Sequence, residues 1–135
     1  LLTIIKTIEN IIKKDKPNTI LTHYQNDLNI DHQIVNRATI TACRPEISHP
    51  VKQLLFFEVP SSTEWQIGST FSPNWFEDIS PYLKLKLEAM RIYKDEIKLW
   101  PHPRSIEGIE SLAKWRGAIV GLNYAEAFEL GRIIK

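Results

Sequence analysis

One cysteine, Cys43, is all the thiol chemistry this 135-residue sequence carries. A lone cysteine forms no internal disulfide and builds no cysteine-based zinc site by itself; it fits a reducing compartment, and a cytoplasmic setting is expected. An excess of charge of one sign is also missing. Seventeen Lys and Arg against sixteen Asp and Glu leave a net charge of +1, which gives no electrostatic ground for nucleic acid or an anionic membrane as a partner. No apolar run approaches the roughly 18–20 residues of a membrane span. The opening Leu1-Leu2-Thr3-Ile4-Ile5 is soon broken by Lys6 and Glu9, and it lacks the basic start and small-residue cleavage site of a signal peptide. Repeats, low-complexity stretches and linkers are absent.

What is present describes one ordinary globular domain. Hydrophobic residues make up 43% and charged residues 24%, within the usual range for a chain long enough to bury a core. The sequence begins on Leu1, inside an apolar periodic pattern, and is therefore expected to be a piece of something longer.

Periodicity gives the order of elements. Leu1, Ile4, Ile5, Ile8, Ile11 and Ile12 recur at helical spacing and predict an amphipathic helix over residues 2–15, ended by Lys16-Pro17-Asn18. Thr19-Ile20-Leu21-Thr22 reads as a short buried strand. Ile34, Val35, Ala38 and Ala42 predict a helix over residues 30–43, capped by Asp27 or Asn29. Residues 54–59 give the strongest strand signal, and residues 75–79 a short one. Ser80-Pro81 supplies an N-cap and a first-turn proline to a helix over residues 81–98, with Leu83, Leu87, Met90, Tyr93 and Ile97 as its stripe. Ser105 caps another helix, with Gly117 and Gly121 bracketing its end, and residues 124–130 form a last strand or a short helix. This order predicts an α/β layered fold with a mainly parallel sheet.

The polar residues gather where a strand turns into a loop, and ligand sites of open α/β sheets lie outside the carboxyl ends of their strands. Between His23 and His32 stand two histidines, two aspartates and two asparagines. His32 falls in the first turn of a helix, where the dipole disfavours protonation, and a neutral imidazole is a metal ligand. Read alone, Asp31 stabilises a helix start and His32 is a surface residue; with Asp27, Asn29 and His23 beside them, the pair belongs to a convergence of polar groups. A catalytic zinc site takes about three protein ligands, so either His23 and a carboxylate complete the set or the partners lie elsewhere. Glu58 ends a strand and is expected at the same edge as His23, in a capping or a site role. His102, held between Pro101 and Pro103 beside Arg104, presents an imidazole and a guanidinium suited to an oxyanion or sugar hydroxyls, unless that loop merely separates two helices. His49 reads as plain loop, and Trp65 beside Ser61, Ser62 and Thr63 as packing or a sugar-stacking surface.

Five stretches in order carry a resemblance: Thr22-His23 to Asp27-Leu28-Asn29-Ile30-Asp31-His32, Glu58-Val59-Pro60-Ser61-Ser62-Thr63-Glu64-Trp65, Pro101-His102-Pro103-Arg104-Ser105, Trp115-Arg116-Gly117, and Tyr124-Ala125-Glu126-Ala127-Phe128. Together they resemble the LmbE-like, PIG-L family of zinc-dependent deacetylases acting on N-acetylglucosaminyl substrates. The resemblance implies a Rossmann-like α/β sheet, zinc as cofactor and His32 as a zinc ligand. The family's first motif, a His-Pro-x-Asp run that supplies two further ligands and a general base, has no counterpart here. Residues 1–135 are accordingly expected to be the C-terminal portion of one such domain, missing its first strands.

The resemblance also implies roles. Many members carry a histidine where Asn29 stands, stabilising the tetrahedral intermediate with the following aspartate, here Asp31, as its partner. Asn29 can donate to an oxyanion but cannot carry a proton. His23, Glu58, His102 and Arg104 are expected to bind an N-acetylated amino-sugar substrate. With zinc polarising the acetamide carbonyl, water would attack, and the intact protein would deacetylate while residues 1–135 alone would not. The rival reading is a non-catalytic carbohydrate-binding or assembly module that has lost the metal. Apolar surface bared by absent strands calls for a partner, a homo-oligomer included.

Overall fold

The computed structural model describes residues 1–135. It has the expected α/β character: four helices and one four-stranded sheet in the order β1 (Thr19–His23), β2 (Gln53–Phe57), β4 (Ala125–Ile133), β3 (Trp75–Asp78). The chain divides into two compact units, Leu1–Ser72 with Phe128–Lys135, and Pro73–Ala127. No helix is long and apolar enough to cross a membrane.

In the first unit, α1 (Leu2–Asp15) turns Ile5, Ile8 and Ile12 inward and leaves Ile11 exposed. Ile12 is buried with Ala42, Cys43 and Val51, and Ile5, Ile8 and Ile20 pack against them. The helix stops where Lys16 takes a left-handed φ of 47° and returns its N–H to Ile12 O, closing an otherwise open carbonyl. β1 (Thr19–His23) follows, then α2 (Ile30–Ala42), then β2 (Gln53–Phe57). β1 and β2 are parallel, from Thr19 opposite Gln53 to His23 opposite Phe57, so the two strands end side by side. Asn36, buried on α2, donates to His23 O at 2.7 Å and ties the end of β1 to the helix.

β4 (Ala125–Ile133) lies antiparallel on the other side of β2, which makes the sheet mixed instead of mainly parallel. Leu54, Leu55 and Phe56 are all buried, and a centrally placed strand reads as a continuous apolar run whichever way its neighbours point. Sequence periodicity reports burial, not direction. Between Leu54 opposite Arg132 and Leu55 opposite Leu130 the register shifts, leaving Gly131 as the extra residue of a bulge. A Cβ on Gly131 would stand 2.7 Å from the Phe56 ring.

In the second unit, β3 (Trp75–Asp78) leads into a 3₁₀ turn, Ser80–Tyr82, and α3 (Leu83–Ile92); α4 (Ile106–Val120) precedes β4. Ile79, Leu83, Leu87, Ile109 and Ala113 form its core, with Met90, Ile97, Ile106 and Tyr124 against it. Three expectations change here. The helix foreseen to residue 98 ends at Ile92, because Tyr93 leaves helical geometry (ψ 63°) and a turn carries the chain on; Ile97 still reaches the core, whereas Tyr93 is exposed. Ser80 caps nothing and spends its hydroxyl on Asp78. Gly117 lies inside α4, where a Cβ would come within 2.6 Å of Leu122 O, and the left-handed cap is Gly121 (φ 78°). Ser105 does cap α4, its Oγ accepting from Gly108 N at 2.9 Å.

Candidate functional site

The loops that leave β1 and β2 meet on one carboxylate. Asp27 is fully buried and its two oxygens accept four hydrogen bonds. Oδ1 takes the Ser62 hydroxyl, the Asn29 backbone N–H at 2.9 Å and His32 Nδ1 at 2.9 Å; Oδ2 takes the Thr63 hydroxyl at 2.7 Å. Burial alone would raise the pKa of this carboxyl. The donors from Ser62, Thr63, Asn29 and His32 outweigh it and hold the group below its ordinary value. Asp27 is therefore an ionised, acceptor-only anchor.

Local chemistry explains why the loops take these shapes. Asn29 is the N-cap of α2, its Oδ1 accepting from Asp31 N at 2.8 Å. Gln33, one turn into the helix, donates back to Asp27 O at 2.7 Å. On the other side, β2 ends at Phe57, two residues sooner than its apolar run predicts, because Val59 O already accepts the N–H groups of Ser62 and Thr63. That turn places both hydroxyls over Asp27. Thr63 Oγ1 also accepts from Val59 N at 2.7 Å, and Ser61 adopts a left-handed φ of 67° with its N–H on Glu64 Oε1.

Two imidazoles stack on this base. The rings of His23 and His32 lie 4.1 Å apart and within 16° of parallel, and His23 also meets Phe57 at 4.8 Å. Burial first, then the neighbouring His32 ring, push the pKa of His23 below 6.5, with Asp27 pulling the other way. Its Nδ1 is buried with no hydrogen-bond partner. His32, whose side chain is 21% exposed, has Nδ1 committed to Asp27, so its Nε2 is the nitrogen left to face a ligand.

That orientation is how proteins hold a metal-ligating histidine, with the second nitrogen on a carboxylate. His32 fits one position of a zinc site. His23 does not fit the second, since lone pairs of near-parallel stacked rings run side by side instead of converging on one ion. No group of three or more His, Cys, Asp or Glu side chains is placed to hold a metal.

The remaining sequence-derived residues fall as follows. Asp31 is exposed on the first turn of α2, and the carboxylate that faces His32 is Asp27. Asn29 is exposed beside it, with its oxygen used as the cap. Glu58 is half-buried, one residue beyond the end of β2. His102 and Arg104 belong to the second unit, where His102 Nδ1 accepts from Arg104 N at 3.0 Å and the Arg104 guanidinium pairs with Glu96. Trp65 is half exposed. His49, read as plain loop, uses both ring nitrogens, toward Ala42 O at 3.1 Å and Val51 N at 3.3 Å. Ser62 and Thr63 are the residues that sequence reasoning passed over. The signal available was a run of hydroxyls directly after the strand neighbouring β1.

No protein-family model matches the sequence. Among solved structures, the chain is similar over its full length to a conserved protein from Thermus thermophilus (16% identity, TM-score 0.75) and to 4-carboxy-2-hydroxymuconate hydratase from Pseudomonas putida (17%, TM-score 0.72). Over 96% of its length it is similar to N,N'-diacetylchitobiose deacetylase from Pyrococcus horikoshii (18%, TM-score 0.67). The chain spans 61%, 61% and 51% of those structures. At these identities the likeness establishes the fold alone, an α/β architecture shared with these three structures.

Proposed function

We propose that residues 1–135 form the C-terminal part of a zinc-dependent hydrolase that removes the N-acetyl group from an N-acetylated amino-sugar conjugate. The observation that carries it is His32 on Asp27. A buried carboxylate fixes one nitrogen of an imidazole at the carboxyl ends of two parallel strands and leaves the other bare, on a fold that a diacetylchitobiose deacetylase also has. The other ligands and the general base would come from outside this stretch. When bound, zinc supplies Lewis-acid polarisation of the amide carbonyl and acidification of water.

The chain's own residues take the rest. His32 offers Nε2 as one ligand. Asn29, whose Oδ1 is spent on Asp31 N, still has its amide N–H₂ to donate toward a developing oxyanion, with Asp31 next to it. His23, stacked on His32, and Glu58, just beyond the end of β2, are assigned to the substrate side of the site. His102 and Arg104 are assigned to sugar hydroxyls. A cytoplasmic setting and a homo-oligomer belong to the proposal as well.

The test is a longer protein that includes an upstream His-Pro-x-Asp-Asp run. It should bind one zinc ion and release acetate from N,N'-diacetylchitobiose, and His32→Ala should abolish both. Failure of a protein carrying that run to bind zinc would sink the proposal. The second reading is a carbohydrate-binding or assembly module; acetylated-sugar binding without zinc or acetate release would establish it.

A further inference from the structure

Hydrogen-bond direction runs one way through the loop that follows β2. Val59 N–H donates to Thr63 Oγ1 at 2.7 Å, so the Thr63 hydroxyl hydrogen is free to point at Asp27 Oδ2, 2.7 Å away. Ser62 donates to Oδ1, as does the Asn29 N–H. Both Asp27 oxygens are thus already acceptors, Oδ1 of a backbone N–H and the Ser62 hydroxyl and Oδ2 of the Thr63 hydroxyl, and a carboxylate in that arrangement has no hydrogen to offer. The one remaining contact on it, His32 Nδ1 at 2.9 Å, must then carry the hydrogen on the histidine side.

We infer that Ser62 and Thr63 are positioning residues for His32: through Asp27 they lock its imidazole as the Nδ1–H tautomer and turn Nε2, with its lone pair, toward the ligand. The inference deepens the proposed function, since a bare Nε2 is what a metal or a substrate donor requires, but it concerns a property of the free protein. Free histidine prefers its hydrogen on Nε2, so the tautomer expected here is the one that needs support. Neither hydroxyl touches His32. Each acts by keeping the carboxylate from rotating: Thr63 pins Oδ2, which leaves Oδ1 aimed at Nδ1, and Ser62 holds Oδ1 from the opposite loop. Both side chains are buried, so water cannot replace them cheaply.

The experiment is long-range ¹H–¹⁵N NMR of the histidine rings in the full 135-residue chain, without metal, at about pH 9, well above the ordinary imidazole range. In the unaltered protein His32 should show Nδ1 at the protonated, pyrrole-like position and Nε2 at the unprotonated one, as a single form. Thr63→Val and Ser62→Ala should each mix in the Nε2–H form, and Thr63→Ser, which keeps the hydroxyl, should restore the single form. Where Thr63→Val does not fold, Ser62→Ala and Thr63→Ser decide. A hydrogen on Nε2 in the unaltered protein, or an unchanged Nδ1–H pattern in the folded hydroxyl-deletion variants, overturns the inference. Neither outcome depends on zinc. A longer protein that fails to bind zinc would therefore sink the deacetylase proposal and leave the tautomer result standing.

Discussion

Asp27 Oδ1 and His32 Nδ1 stand 2.9 Å apart, five residues from one another in the chain, with the Asp27 carboxylate wholly inside the protein. Asn29 bridges the interval by donating its N–H to Asp27 and accepting the Asp31 N–H on its Oδ1. The loop between β1 and α2 is thereby folded around the carboxylate.

Replacing Asp27 by Asn keeps the volume but removes the charge that four donors face. A buried, hydrogen-bonded charge that loses its match leaves donors unsatisfied, and we expect a loss of about 2–4 kcal/mol in stability. Urea denaturation of Asp27→Asn against the unaltered chain measures it. A loss under half a kilocalorie would mean the carboxylate is not the anchor described above.

The same carboxylate sets an acid limit. Its pKa is lower folded than unfolded, so its stabilisation is present above the unfolded value near 3.8 and fades as pH falls through the folded one. His23 acts higher on the scale. Its folded pKa lies below 6.5, so from 6.5 down to that folded value the unfolded chain binds a proton the folded chain does not, and stability rises with pH across that window. His23→Gln should flatten the slope between the folded value and 6.5 and leave the acid limit in place. Denaturation midpoints taken from pH 3 to 8 would show it.

Two of the three tightly packed glycines, Gly117 and Gly131, should rank. A Cβ at position 117 meets backbone, Leu122 O at 2.6 Å and Tyr124 N at 2.9 Å; at position 131 it meets mainly the Phe56 ring, at 2.7 Å. A ring can swing and a backbone cannot. Gly131→Ala should cost about 1–3 kcal/mol and Gly117→Ala more, readable as a larger drop in thermal midpoint. The reverse order would show that Phe56 has no room to move.

Arg104 separates structure from binding. Its ion pair with Glu96 joins side chains that are 31% and 59% exposed, so Glu96→Gln should change stability by less than about 1 kcal/mol. Arg104→Lys keeps the charge and loses the fork. If Arg104 takes sugar hydroxyls, that variant should weaken substrate binding by the intact protein while its midpoint stays put. A midpoint shift with unchanged binding would assign it to the loop alone.

Much of this was legible in the sequence, for definite reasons. The isoleucine spacing of α1, the apolar run of β2 and the Ser105 cap are local signals, and the structure bears each out. The density of polar groups from His23 to His32 marked the right loop. What stayed hidden was pairwise and distant. Asp27 and Asp31 are equivalent as letters; only the approach of Ser62 and Thr63, 35 and 36 residues away, makes one an interior anchor and leaves the other in solvent. Strand direction was hidden for a like reason, and the early end of α3 because Ile97 keeps the helical rhythm after the helix has stopped.

The clamp on Asp27 also says when the site comes into being. The helices close over a few residues and can form early, whereas Asp27 meets its hydroxyls only after β1 and β2 have aligned across an intervening helix, and such distant pairings are the slow events of folding. Before then the loop after β1 has its local bonds, from Asn29, His32 and Gln33, without the two hydroxyls that fix the carboxylate. The full clamp on His32 is thus a result of strand pairing, and a chain in which β1 and β2 have not aligned has no complete site.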